Sequence, residues 1–159
     1  MTIQAMRQID LDWVLDLNRA HETELSPLAP ENLVALHAQA FAARVAEPQA
    51  AFLLAFDQSA NYASPNYLWF RQRHAAFAYV DRIAVSALHR RKGLAGALYE
   101  DLFDIARSTG HTVVCCEVNS DPPNPGSDAF HAALGFEIVG EAYLDDRAKS
   151  VRYLTKRLD

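Results

Sequence analysis

The stretch Ala76–Gly110, AFAYVDRIAVSALHRRKGLAGALYEDLFDIARSTG, decides how the chain is to be read, because its hydrophobic period changes halfway along. In the first part the period is two residues: Phe77, Tyr79, Asp81, Ile83 and Val85 fall on one face of a strand, and Ala78, Val80, Arg82 and Ala84 on the other. One charge therefore sits on each face. From Gly93 onward Leu94, Ala97, Leu98, Leu102, Ile105 and Ala106 recur three and four apart, as the apolar stripe of a helix. Gly110 suits the position just past its last turn, and Arg107 complements the negative end of the helix dipole.

The join between strand and helix breaks a local rule. His89, Arg90, Arg91 and Lys92 bring cationic groups to the positive end of the dipole, where acidic residues are normally favoured by about 0.3–1 kcal/mol each. A bound polyanion resolves the conflict. The free N–H groups of the first helical turn, the small residues Gly93, Ala95 and Gly96, and the flanking guanidinium groups together make a phosphate cradle. A solvated basic turn is the plain alternative. No Gly-Lys-Ser/Thr follows, so this is not a nucleotide-kinase loop.

The rest of the chain bounds what such a cradle serves. Its 159 residues suit one domain spanning 1–159, half hydrophobic and 22% charged, an ordinary composition for a soluble globular chain. A net charge of −5 argues against general nucleic-acid binding and makes the basic turn a local feature. No apolar run reaches membrane-spanning length, and MTIQAMRQIDLD lacks a signal-peptide core, so a cytoplasmic protein with no membrane partner is expected. The two cysteines, Cys115 and Cys116, are adjacent in a strand and point to opposite faces, which suits packing rather than a disulfide. The six histidines lack ligand spacing, and no metal is expected.

Outward from the central stretch, Thr2–Gln8 reads as a first strand, followed by a helix capped by Asp10 with Leu11, Val14, Leu15 and Leu17 inward. After two proline breaks a second helix is expected from Glu31 to about Glu47, ended by Pro48. Ala50–Phe56 is an apolar strand, Asp57–Pro65 a loop, and Tyr67–Arg71 a further strand leading into the central one. Thr112–Val118, TVVCCEV, reads as a buried strand parallel to the central one, since a helix separates them. Asn124 then caps a helix with Pro125 at its first position, running to about Leu134. Phe136–Tyr143 and Val151–Leu158 complete the chain as a strand pair. The reading gives an α/β (α+β) fold, a mixed sheet of about seven strands flanked by about four helices.

The run Arg90-Arg91-Lys92-Gly93-Leu94-Ala95 matches the pattern [QR]-x-x-G-x-[GA], and Asn124–Phe136, NPGSDAFHAALGF, looks like N-x-x-A-x-x-x-Y-x-x-x-G-F, with His131 where the tyrosine is usual. With the strand, helix and order of elements around them, these segments resemble the GNAT superfamily of N-acetyltransferases, and the resemblance covers nearly the whole chain. It implies an acetyl-CoA-dependent transferase. The amides around Arg90, Arg91, Lys92, Gly93, Leu94, Ala95 and Gly96 would hold the pyrophosphate, main-chain donors from Ile83, Ala84 and Val85 would polarise the thioester, and Asn124 would touch the cofactor. Tyr79 and Asp81 would face the acceptor, within a pocket built from Asn18–Leu28 and Asp57–Tyr67.

Acetyl transfer needs a neutral amine, a polarised carbonyl and a stabilised leaving thiolate. Neutralising an amine of pKa about 10.4 at pH 7 costs roughly 4–5 kcal/mol, which makes a base useful. Asp81 interrupts an otherwise apolar face and is the candidate base, with a structural anchor as the bland reading; Arg82 suits a structural partner. His131 is the candidate acid, or else a cofactor contact or a structural hydrogen bond. The acceptor expected is a small-molecule amine. A non-catalytic CoA-binding module and a protein or peptide acetyltransferase stay open beside it, as does pairing into a homodimer.

Overall fold

Pairing on both of its edges makes the central strand the axis of the molecule. In the computed structural model, which describes residues 2–159, seven strands form one sheet in the order β1-β2-β3-β4-β5-β7-β6. They are β1 (Thr2–Ala5), β2 (Ala42–Glu47), β3 (Ala51–Asp57), β4 (Ala78–Val85), β5 (Val113–Asp121), β6 (Glu137–Leu144) and β7 (Lys149–Arg157). Every neighbouring pair is antiparallel except β4 and β5, the parallel pair that the intervening helix demands.

Five α-helices cover the sheet: α1 (Leu11–Arg19), α2 (Pro30–Gln39), α3 (Pro65–Arg71), α4 (Leu94–Ser108) and α5 (Pro125–Ala133). On one face Val14, Leu15, Leu33, Tyr67 and Phe70 from α1, α2 and α3 pack on Phe52, Phe56, Phe77, Tyr79 and Tyr153. On the other, Leu94, Leu98, Leu102 and Phe103 of α4 pack on Leu53, Ala55, Val80, Val114 and Leu154. Cys115 and Cys116 are free, and each is buried in the core of a different face.

Three local readings are corrected by the structure. The helix expected over 31–47 stops at Gln39; Ala40 is extended at ψ 138°, and Ala42–Glu47 pairs with both β1 and β3. Its small, alanine-rich sequence fits helix or strand, and the vacancy between two strands decides. The strand expected over Tyr67–Arg71 is α3 instead, begun by Pro65 at its first position, where a fixed φ and a missing N–H favour a helix. The expected sheet thus has the right number of strands but not the same ones.

The third correction lies in β4. Leu54 pairs with Arg82 and Ala55 with Val80, so Asp81 is an extra residue, a β-bulge. One inserted residue reverses the alternation beyond it. Phe77 and Tyr79 pack on the α1–α3 face, whereas Ile83 and Val85 pack on the α4 face, and the single face predicted for these five residues does not form.

Candidate active site

Strands β4 and β5 pair only at Ala78–Val114 and Tyr79–Cys115, and then part. Beyond the bulge β4 stays bonded to β3 as far as Val85–Ala51, while β5 stays bonded to β7 as far as Asp121–Ser150. The gap between them is the mouth of a cavity of about 320 Å³, lined by β4 from Val80 to Val85 and by β5 from Cys116 to Asn119. The Ser86 amide donates to Ala50 O on the β3 side at 2.7 Å; alternation therefore turns the N–H groups of Ile83 and Val85 into the gap. Amides so placed can donate to an oxygen on which negative charge develops. Ala84 points its side chain to the opposite core.

The cavity also reaches Arg90, in the turn that leads into α4. Gly93 caps it in the left-handed region at φ 72° with no side-chain hydrogen bond, and no acidic residue occupies the first turn. The amides of Leu94, Ala95 and Gly96 precede the first i to i−4 bond, from Ala97 to Gly93, and are open. Arg91 also has a positive φ of 64°, a strained conformation for a side-chain-bearing residue. Among the described residues, the side chains of Arg90, Arg91 and Lys92 form no ion pair with an acidic group. Open amides and uncommitted cations fit a diphosphate.

The α5 side of the cavity carries Asn124, Ser127 and His131. Asn124 caps α5, its side chain accepting from the Ser127 amide at 3.2 Å. The buried His131 ring meets Ser127 O through Nδ1 at 2.7 Å and the Tyr99 hydroxyl through Nε2 at 3.0 Å. A carbonyl can only accept, so Nδ1 carries the proton and Nε2 accepts from Tyr99. Burial also lowers the His131 pKa, favouring this neutral form.

The far end of the cavity holds two carboxyl groups on its strands, with Glu24 at the rim. Asp81 is 5% exposed at its side chain and fully engaged: Oδ2 accepts from Arg82 Nε at 2.8 Å, and Oδ1 from the Tyr62 hydroxyl at 2.7 Å. Arg82 in turn donates to Asn18 Oδ1, Ser26 O and Ser26 Oγ, tying β4 to the segment between α1 and α2. The predicted structural partner and the candidate base are thus one ion pair.

The second carboxyl, Glu117 of β5, was not anticipated. Its oxygens accept from the Tyr79 hydroxyl, at 2.9 Å to each, and Oε1 accepts from Asn66 Nδ2 at 3.0 Å. Asn66 is oriented by the Tyr153 hydroxyl, 2.8 Å from its Oδ1. Both partners of Glu117 are neutral. Burial, reinforced by the negative charge of Asp81, raises the Glu117 pKa to about 7, against the smaller opposing effect of Tyr79 and Asn66. Tyr79 itself is held far above the usual phenol range by burial and Glu117, so it serves as a donor and not as a base. Glu117 is the only charged residue in the segment TVVCCEV, and that lone charge in a buried strand was the available signal.

Comparison with known proteins agrees with this arrangement. The family model described as Acetyltransferase (GNAT) family matches residues 32–136. No curated protein matches. Among solved structures, Ard1 from Thermoplasma volcanium superimposes with a TM-score of 0.78 at 19% identity, covering 99% of this chain and 97% of that one. A ribosomal-protein-alanine N-acetyltransferase from Brucella melitensis gives 0.73 at 20% identity over 99% and 100% of the two chains. The structure of yncA from Salmonella typhimurium with its cofactor acetyl-CoA gives 0.72 at 19% identity over 100% and 94%. At such identities these likenesses speak to the fold. The family match spans most of the chain, and with the splayed strands and the uncapped basic helix it shows that this protein belongs to the acetyltransferase (GNAT) family.

Proposed function

We propose that the protein is a cytoplasmic N-acetyltransferase that moves the acetyl group of acetyl-CoA directly to the amine of a small molecule, with Glu117 as the base. The observation that carries this reading is Glu117, a carboxyl held near neutrality at a gap between two strands, within the cavity that also reaches Arg90 in the turn before α4.

Acetyl-CoA supplies an activated acetyl carbon on a thiol leaving group. The amides of Leu94, Ala95 and Gly96, with Arg90, Arg91 and Lys92, would hold its diphosphate, and Asn124 would flank its arm. Glu117 takes one proton from the bound ammonium, directly or through a water, leaving the nitrogen lone pair free to attack. The amides of Ile83 and Val85 stabilise the oxygen as its charge grows; an oxyanion donor is worth about 3–4 kcal/mol. The new C–N bond forms as the C–S bond breaks, the electron pair leaves with sulfur, and the surplus proton on nitrogen passes to that thiolate or to solvent. A thiolate of pKa about 8.5 needs little assistance near neutral pH. His131, neutral and satisfied at both nitrogens, then anchors Tyr99 and α5 beside the cofactor arm and supplies no proton. The thiols of Cys115 and Cys116 are pushed up by burial, which disfavours an acyl-enzyme route.

Calorimetric titration with acetyl-CoA tests the reading, with dephospho-CoA and Gly93→Glu as controls, followed by thiol release across an amine panel. Micromolar binding lost in Gly93→Glu, and thiol release that depends on added amine, are expected. Absence of binding at millimolar acetyl-CoA would overturn it.

A further inference from the structure

The acceptor end of the cavity carries more charge than the chemistry uses, and most of it is cancelled internally. Asp81 and Arg82 neutralise each other at 2.8 Å. Arg147, in the turn between β6 and β7, lies 3.8 Å from Asp146. His21 is turned back to Leu17 O at 3.0 Å. Glu24 stands on the α1–α2 segment at the rim. Glu24 is exposed to water; apart from it, two groups at this end remain without an ionic partner among the described residues: Glu117, held only by neutral donors, and Lys149, which forms no hydrogen bond or ion pair although it lines the same cavity.

Their placement follows from strand register. Glu117 is opposite Tyr153 on β7, and Lys149 lies four residues before Tyr153 on the same strand, hence on the same face and about 13 Å along it. The turn preceding Lys149 passes through Ala148 at a left-handed φ of 48°, the conformation that starts β7 there. Burial and the neighbouring charge of Arg147 lower the Lys149 pKa, while Glu117 and Asp146 oppose that, as expected of a cation lacking a close counterion.

We propose that the acceptor is an amine that also bears an anionic group several bonds away, an ω-amino carboxylate in type, with the amine at Glu117 and the anion at Lys149. This rests on the acyltransferase reading above and specifies its substrate class. A zwitterion supplies both missing counterions at once: its ammonium approaches the carboxylate that will deprotonate it, and its carboxylate meets the uncommitted ammonium. A diamine would satisfy Glu117 and leave a second cation facing Lys149, and a simple alkylamine would leave Lys149 unpaired.

The test measures thiol release from acetyl-CoA with γ-aminobutyrate and δ-aminovalerate, against n-butylamine, n-pentylamine and putrescine. A charge-assisted contact predicts kcat/KM about tenfold or more higher for the carboxylate-bearing amines, mainly through KM. In Lys149→Gln the preference falls to within about twofold, Lys149→Arg keeps it, and Lys149→Glu reverses it toward putrescine. Preference for the alkylamines or putrescine in the unmodified protein, an unchanged preference in Lys149→Gln, or no turnover of any amine in the panel would each overturn the proposal. Acetyl-CoA titration of the same samples reports separately on the acyltransferase reading, which stands if binding is retained.

Discussion

Two carboxylates border one cavity and face opposite fates. Asp81 was placed there by a bulge in β4 and is met by a guanidinium 2.8 Å away and a phenol 2.7 Å away. Glu117 was placed there by the parting of β5 from β4 and is met by one phenol and one amide, both uncharged. A full positive partner makes a carboxylate a fixture. Neutral donors hold its position while burial keeps it poised to take a proton. The comparison teaches that a charge in a cavity is read by its partners, not by its presence, and each of the following changes is aimed at that distinction.

The largest effect is expected at Glu117. Replacing it with glutamine preserves the hydrogen bonds to Tyr79 and Asn66 and removes the base, so kcat/KM should fall about 10²–10⁴-fold while acetyl-CoA binding is retained. Stability should move the other way. The folded carboxyl binds its proton up to about pH 7, the unfolded one only to its ordinary value near 4.5, so between those limits the folded state holds more protons and stability falls as pH rises. Denaturant midpoints should therefore show Glu117→Gln more stable than the unmodified protein at pH 8, with the advantage shrinking toward pH 4.5.

Asp81→Asn should do the converse. It leaves Arg82 buried beside a neutral group, and loss of one member of such a pair costs about 3–5 kcal/mol. Urea unfolding should show that loss, and the fraction that remains folded should keep an acid limb in its transfer rate, moved to lower pH because a charge that raises the Glu117 pKa is gone. If Asp81→Asn abolishes that dependence, the comparison breaks.

Tyr79→Phe sharpens it. The hydroxyl favours ionised Glu117, so its removal should raise the Glu117 pKa further and shift the acid limb of kcat/KM upward by about one pH unit. The smallest change is expected at His131, where asparagine should lower turnover less than about threefold, since a residue acting as general acid would cost 10²–10⁴-fold. A larger loss, recovered on lowering the pH, would return the proton-donor role to His131.

The same contrast explains how much was legible in the chain. Strand, basic turn and helix from Phe77 to Gly110 were readable because period and punctuation agree there. Asn124 as the cap of α5 was readable from Asn-Pro alone, and the hydrogen bond to Ser127 is present. The bulge was not, because nothing local marks Asp81 as inserted; its position depends on the register between β3 and β4. Nor was α3, whose aromatic run suits a strand until Pro65 and the packing of Tyr67 and Phe70 fix a helix. That helix brings Asn66 to Glu117, so misreading it hid part of the site. Glu117 lay in a strand whose apolar neighbours drew attention to burial, and its partners come from positions 66 and 79, with Tyr153 orienting Asn66, an arrangement that only the fold assembles.

The most direct measurement is a carbon-13 titration of the Glu117 side-chain carboxyl by NMR, assigned with Glu117→Gln, which needs no knowledge of the acceptor. A midpoint near pH 7 that moves higher in Tyr79→Phe is the predicted result. A midpoint at or below the ordinary glutamate value, unmoved by Tyr79→Phe, would contradict it and leave the cavity without its base.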